Sequence, residues 1–145
     1  MKSSYFAKRL AGLACMQSKH SLTFCNEFVF LVAHEAGTDE LWNKTANEIV
    51  EHIKLSERWC EVLETQAQTD ANQEKLVIAG WQSSHEGYGG HVCIVIPGMM
   101  QNSPSHGIML PTVANVGVSN FHWNHAGFAF SKEKRPRFWT WKGEL

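Results

Sequence analysis

The feature that most constrains this chain is a change of hydrophobic rhythm at Lys75. Before it, apolar residues recur at helical spacing; after it, they come in short runs between turn residues. Lys75-Leu76-Val77-Ile78-Ala79-Gly80 reads as a buried strand. A polar, glycine-rich turn follows from Trp81 to Gly90, and His91-Val92-Cys93-Ile94-Val95-Ile96 reads as a second strand, stopped by Pro97-Gly98. The two runs are expected to pair antiparallel. Helices first and strands after predict an α+β fold. With 145 residues the chain is expected to form one domain over 1–145 with a single core.

The helical part centres on Ser21-Leu22-Thr23-Phe24-Cys25-Asn26-Glu27-Phe28-Val29-Phe30. Phe28, Leu31 and Val32 follow Cys25 at helical spacing, Gly37 is the natural stop, and Ser21 or Thr23 can cap the start. Cys25 is thereby expected at the first turn, where the helix dipole lowers a thiol pKa and favours the nucleophilic thiolate. A buried structural cysteine is the ordinary alternative for such a residue. His91 opens its strand beside Gly87-Tyr88-Gly89-Gly90, where glycines leave room for a peptide to approach. A cysteine at a helix start and a histidine on a later strand are the nucleophile and base of a Cys–His hydrolase. Trp81, His85, Tyr88, Gly89 and Gly90 are the candidate substrate cleft.

The series "TFCNEFVFLVAHEAG" and "KLVIAGW…GYGGHVCIVIPG" resembles the small papain-like peptidoglycan amidases of the NlpC and CHAP group. Within that group it is most similar to amidase effectors of type VI secretion. It departs from the usual pattern at Phe24, where Asp or Asn is common, and at Glu27, where a small residue is common. The resemblance implies a papain-like fold with helices packed on a small antiparallel sheet. It also implies cleavage of an amide bond in the stem peptide, between D-glutamate and diaminopimelate, by Cys25 with His91 as base. In such families the group that orients the histidine lies on the strand after the histidine strand. Here Ile108-Met109-Leu110-Pro111 offers no side-chain acceptor, so the favoured group is the main-chain carbonyl of Leu110, with His106 and Asn115 as alternatives. The amide of Cys25 is expected to contribute to an oxyanion hole. An effector of this kind implies an immunity protein that plugs the cleft. A phage-type lysin, a Cys–His hydrolase or deamidase acting outside the wall, and a non-catalytic binding module are the rival readings.

Composition narrows the partners. The formal net charge of −1 gives a nucleic acid no electrostatic support. No run approaches the ~20 apolar residues of a membrane span. Cys15, Cys25, Cys60 and Cys93 contain no Cys-x-x-Cys pair, so neither a disulfide scaffold nor a zinc ribbon is expected. His122-x-x-His125 sits among Asn and Gly and reads as loop or strand end before metal site. A monomer without metal or cofactor is expected. Lys2, Lys8 and Arg9 before Leu10–Cys15 fall short of a signal peptide, because the apolar run is too short. The chain is therefore expected to be made in the cytoplasm and to act in the periplasm or wall of a target cell.

Along the chain, an amphipathic helix is expected over Ser4–Gln17 with Phe6, Leu10, Leu13 and Ala14 inward. A third helical region is expected from Thr38 or Asp39 as cap, continuing after a break as helix through Glu57–Leu63, so that Cys60 is core. Gln66–Glu74 is expected as loop or frayed helix end, Met99–Gly107 as loop, Ile108–Leu110 as strand. Phe128–Phe130 and Phe138–Trp141 are the expected last strands, around the basic turn Ser131–Arg137.

Overall fold

The structure is a computed structural model, and it describes residues 5–9, 11, 25–84, 89–117 and 120–143. The architecture is α+β. Six strands form one antiparallel sheet: β1 (Trp59–Val62), β2 (Val77–Trp81), β3 (His91–Val95), β6 (Thr112–Asn115), β7 (Phe121–His125) and β8 (Arg137–Trp141), in the order β1-β8-β2-β3-β6-β7. A separate hairpin pairs β4 (Gln101–Ser103) with β5 (Ile108–Leu110). β2 and β3 pair antiparallel, Val77 with Val95 through Trp81 with His91.

The central strands β2, β3 and β6 are buried on both faces. On one side lie α1 (Cys25–Ala36), α2 (Ala46–Leu55) and the helical residues 5–9 and 11. Phe28, Val29, Val32 and Ala33 of α1 and Ile49, Val50 and Ile53 of α2 pack on Ile78, Val92, Ile94 and Trp139. Each fully buried large aliphatic or aromatic side chain contributes about 1.5–3 kcal/mol relative to exposure. On the other side, α3 (Glu64–Asn72) and residues 126–130 cover Val77, Cys93, Val95, Val113 and Phe138. Because strand side chains alternate, β3 sends Val92 and Ile94 to the first face and Cys93 and Val95 to the second.

α1 ends where the glycine demands it. Gly37 has φ +118, and the amides of Gly37 and Thr38 both return to the Ala33 carbonyl at 3.0 Å. The next helix does not begin at Thr38 or Asp39 as expected. Asn43 takes a left-handed φ of 59, which interrupts a right-handed helix, and the true cap is Thr45. Its hydroxyl accepts from the Glu48 amide at 3.2 Å while the Glu48 carboxylate accepts from the Thr45 amide at 2.9 Å, a complete capping box.

Four local expectations are corrected. Residues 59–62 are strand, not helix, because β8 supplies a pairing edge along Trp59 to Val62. Cys60 is accordingly exposed, not core. Residues 64–72 form a true helix despite their polarity. The inward face of α3 is small, with Ala67 and Ala71, and its polar groups stitch to the sheet: the Gln68 amide donates to the Ile96 carbonyl at 3.0 Å and accepts from the Thr112 amide at 2.8 Å. Residues 101–103 are strand, paired with β5 around a turn that uses Gly107 at φ +68. Residues 126–128 form a 3-10 turn where strand was expected at Phe128. For the N-terminal helix, Phe6 packs partly buried against the core as expected, beside fully buried Ala7 and Ala11. Leu10, Leu13, Ala14 and Cys15, and the proposed caps Ser21 and Thr23, lie outside the described residues. Among the described residues no helix is long and apolar enough to cross a membrane.

Candidate active site

Cys25 is the first residue of α1, and its thiol is half-buried against β3. The first amides of a helix have no acceptor within it. Here the amides of Cys25 and Asn26 face the thiol, as does the amide of Val92, the residue after His91. The Asn26 side chain fixes this helix start by donating to the Lys44 carbonyl at 3.0 Å. Burial still dominates: it pushes the Cys25 thiol above the ordinary value, and the three amides offset it only in part. This corrects the lowered pKa expected from the helix end. The dipole field acts on a group that has lost its water, and desolvation is the larger effect.

His91 opens β3. Its Nε2 lies 2.6 Å from Oδ1 of Asn115, the last residue of β6. The pairing of β3 with β6 sets Ile94 opposite Ala114 and Val95 opposite Val113. Continued past the paired residues, that register sets Asn115 opposite Cys93 and Gly117 opposite His91. His91, Cys93 and Asn115 therefore share one face of the sheet. With Nε2–H donating to the Asn115 oxygen, Nδ1 carries the lone pair. Gly117 shows where that ring sits: a methyl at its Cα would lie 3.3 Å from His91 Cε1, 3.8 Å from Nδ1 and 3.9 Å from Cys25 Cβ. One point thus touches both His91 and Cys25, and only glycine leaves it open. The ring is held edge-on by Phe130, with centroids 5.1 Å apart. Burial lowers the His91 pKa; the Asn115 hydrogen bond opposes this, and the Lys134 charge adds to it. Thiol and imidazole are both pushed toward their neutral forms.

The other expected residues fall as follows. Leu110 is fully buried on the β4–β5 hairpin, outside the six-stranded sheet, and the strand beside β3 is β6. The favoured carbonyl of Leu110 is thus replaced at His91 by the Asn115 side chain. His106 is engaged elsewhere, bonding Ser103 Oγ at 2.9 Å and the Ser131 carbonyl at 3.0 Å. Trp81 is partly buried and pairs across the strands with His91. Gly90 lies against the start of α2, where a methyl would stand 2.2 Å from Asn47 Oδ1, so its missing side chain serves chain packing. Gly89 has φ +89 beside Ser83. Tyr88 and His85 lie outside the described residues. Cys93 is fully buried and its thiol is pushed well above the ordinary range, chiefly by desolvation. His122 and His125 both lie in β7, and His125 Nδ1 accepts from the Gly127 amide at 3.1 Å. Among the described residues no group of three His, Cys, Asp or Glu side chains is arranged to hold a metal ion.

Two site residues escaped sequence reasoning. Gly117 gave no motif of its own, and only the β3–β6 register could have pointed to it. Phe130 looked like one more apolar strand residue. A cavity of about 890 Å³ lined by Glu35, Val62, Thr140 and Trp141 lies toward the other end of α1 and shares no residue with this site.

A half-buried thiol, an imidazole with Nδ1 unprotonated, an amide side chain fixing that imidazole, and backbone amides at a helix start are parts that acyl transfer can use. The chain matches no protein-family model, and no curated protein is significantly similar to it in sequence.

Proposed function

We propose that this protein is a cysteine amidase with a papain-like arrangement. It would cut an amide bond in the peptide stem of peptidoglycan, with D-glutamate to diaminopimelate the bond of choice. The observation that carries the chemistry is the His91–Asn115 contact beside Cys25, with Nδ1 left to take a proton. The resemblance of "TFCNEFVF" and "GYGGHVCIVIPG" carries the substrate class.

The steps follow from the resting protonation. The neutral thiol of Cys25 gives its proton to Nδ1 of neutral His91 as sulfur attacks the amide carbonyl carbon. The oxyanion meets the amides at the start of α1, where an anion is favoured. The imidazolium, steadied by Asn115, then protonates the departing amine, and a thioester remains on Cys25. Water attacks the thioester carbonyl carbon as it passes a proton to His91, the C–S bond breaks, the imidazolium returns that proton to the Cys25 sulfur, and the released acid leaves as its carboxylate after giving a proton to solvent. The protein acts in this reading as an interbacterial effector in the periplasm of a target cell, held in check by an immunity protein in the producer.

The test is digestion of purified Gram-negative peptidoglycan by the wild type, Cys25→Ala and Cys93→Ala, with products read by mass spectrometry. One defined stem-peptide cut, lost in Cys25→Ala and kept in Cys93→Ala, is the expected result. No cut by the wild type overturns the wall substrate and turns attention to other amides.

A further inference from the structure

Of the basic residues in the turn Ser131–Arg137, two are engaged away from the site. Arg135 pairs with Glu64 at 3.5 Å, and Arg137 makes two bonds to the Glu61 carboxylate. Lys134 is different. Its amide donates to the Ser131 carbonyl at 2.9 Å, a turn that begins immediately after Phe130, the residue packed against His91. Its ammonium lies 5.1 Å from the centroid of the Trp81 ring, and Trp81 is the cross-strand partner of His91. The residue is exposed, and among the described residues no carboxylate pairs with it. A cation parked on an indole face is held in place but keeps its hydrogen-bond donors for another partner.

We propose that Lys134 is the substrate's carboxylate anchor, holding an acidic group next to the amide bond presented to Cys25 and His91. This rests on the amidase reading for the identity of the peptide. A D-glutamate joined through its side chain keeps a free α-carboxylate close to that bond, which is the group an ammonium beside His91 can take. The position also has an electrostatic logic. An unpaired cation near His91 opposes the imidazolium that forms when Cys25 gives up its proton, and it contributes to the lowered His91 pKa. A carboxylate bound to Lys134 cancels that charge, so His91 becomes a better base when an acidic substrate is in place. The anchor thus selects acidic peptides and readies the site for them.

The experiment measures equilibrium binding of two synthetic stem tripeptides to the Cys25→Ala protein. One carries the free α-carboxylate on D-glutamate and the other its carboxamide. Lys134→Gln, Lys134→Arg and Lys132→Gln are compared in the same background. The free acid is expected to bind about two- to fivefold more tightly than the amide, as for an ion pair near the surface. Lys134→Gln should abolish that preference, while Lys134→Arg and Lys132→Gln keep it. An acid preference that survives Lys134→Gln overturns the anchor, as does equal binding of the two peptides or no binding of either. Wall digestion by the wild type judges the amidase separately. Cutting without a Lys134-dependent preference leaves the amidase and removes the anchor, and the preference without cutting does the reverse.

Discussion

Asn115 Oδ1 stands 2.6 Å from His91 Nε2 although the two residues sit on neighbouring strands rather than opposite each other. The contact runs diagonally across the β3–β6 pair, a distance the aromatic side chain of His91 can span on one face of a sheet. It decides which nitrogen of His91 carries the proton. Replacing Asn115 with alanine is expected to lower kcat about 10- to 100-fold with little change in KM, because the imidazole loses its orientation and not its substrate. Steady-state kinetics on a stem peptide check this; an unchanged kcat would remove Asn115 from the site.

Gly117→Ala tests the open point beside both His91 and Cys25. The residue has φ +154, which strains a side-chain-bearing residue, and its new methyl would press on the imidazole at 3.3 Å. A displacement of the ring by a few tenths of an ångström, short of the ~1 Å that costs about 100-fold, should lower kcat/KM about 3- to 10-fold. The melting temperature should fall only modestly, and measuring both separates a misplaced imidazole from a collapsed fold.

The pH profile carries a signed expectation. Burial lowers the His91 pKa from its ordinary 6.5, so the acid limb of kcat/KM, where His91 gains a proton and stops acting as base, should have its midpoint below 6.5. The Asn115 hydrogen bond raises this pKa and the Lys134 charge lowers it. The limb should therefore move down in Asn115→Ala and up in Lys134→Gln. Shifts of the same sign in both variants would contradict this account.

Thiol alkylation gives an independent check. Cys25 is held above its ordinary 9.0 by desolvation. In His91→Gln, which has no base to take the proton, iodoacetamide labelling of Cys25 should reach half its maximal rate only above pH 9.0. Cys60 is exposed and labels as a control, while Cys93 should stay unlabelled in the folded protein.

Stability should centre on Glu40. Its carboxylate accepts from Trp59 Nε1 at 2.7 Å and from Thr38 Oγ1 at 2.9 Å, and lies 2.8 Å from His52 Nε2, tying α2 to β1. Burial opposes its ionisation, but these hydrogen bonds win and hold its pKa below the ordinary range. Glu40→Ala strands the Trp59 N–H in a buried setting and should cost about 2–3 kcal/mol by urea unfolding. Stability supplied by Glu40 is present above its unfolded pKa of 4.5 and is lost as pH falls through its lower folded value.

Much of this was legible in the residues themselves. The strand pair Val77–Trp81 with His91–Val95, the helix opening at Cys25 and its stop at Gly37 follow from local rules, since apolar runs, caps and glycine conformations act over a few residues. Local rules misread Trp59–Val62 and Glu64–Asn72. The first is strand because β8, nearly 80 positions later, offers it an edge, and the second is helix because Gln68 and Asp70 find partners on the sheet.

The amino-acid sequence by itself determined that a thiol would sit at a helix start and a histidine at a strand mouth, because both positions are set by neighbours in the chain. Only the tertiary structure decided the rest. The β3–β6 register chose Asn115 over Leu110 and His106 and brought Gly117 beside both Cys25 and His91. Packing removed water from Cys25 and raised a pKa that the helix end alone would lower. Register and desolvation are properties of what lies across the fold, and no window of sequence contains them.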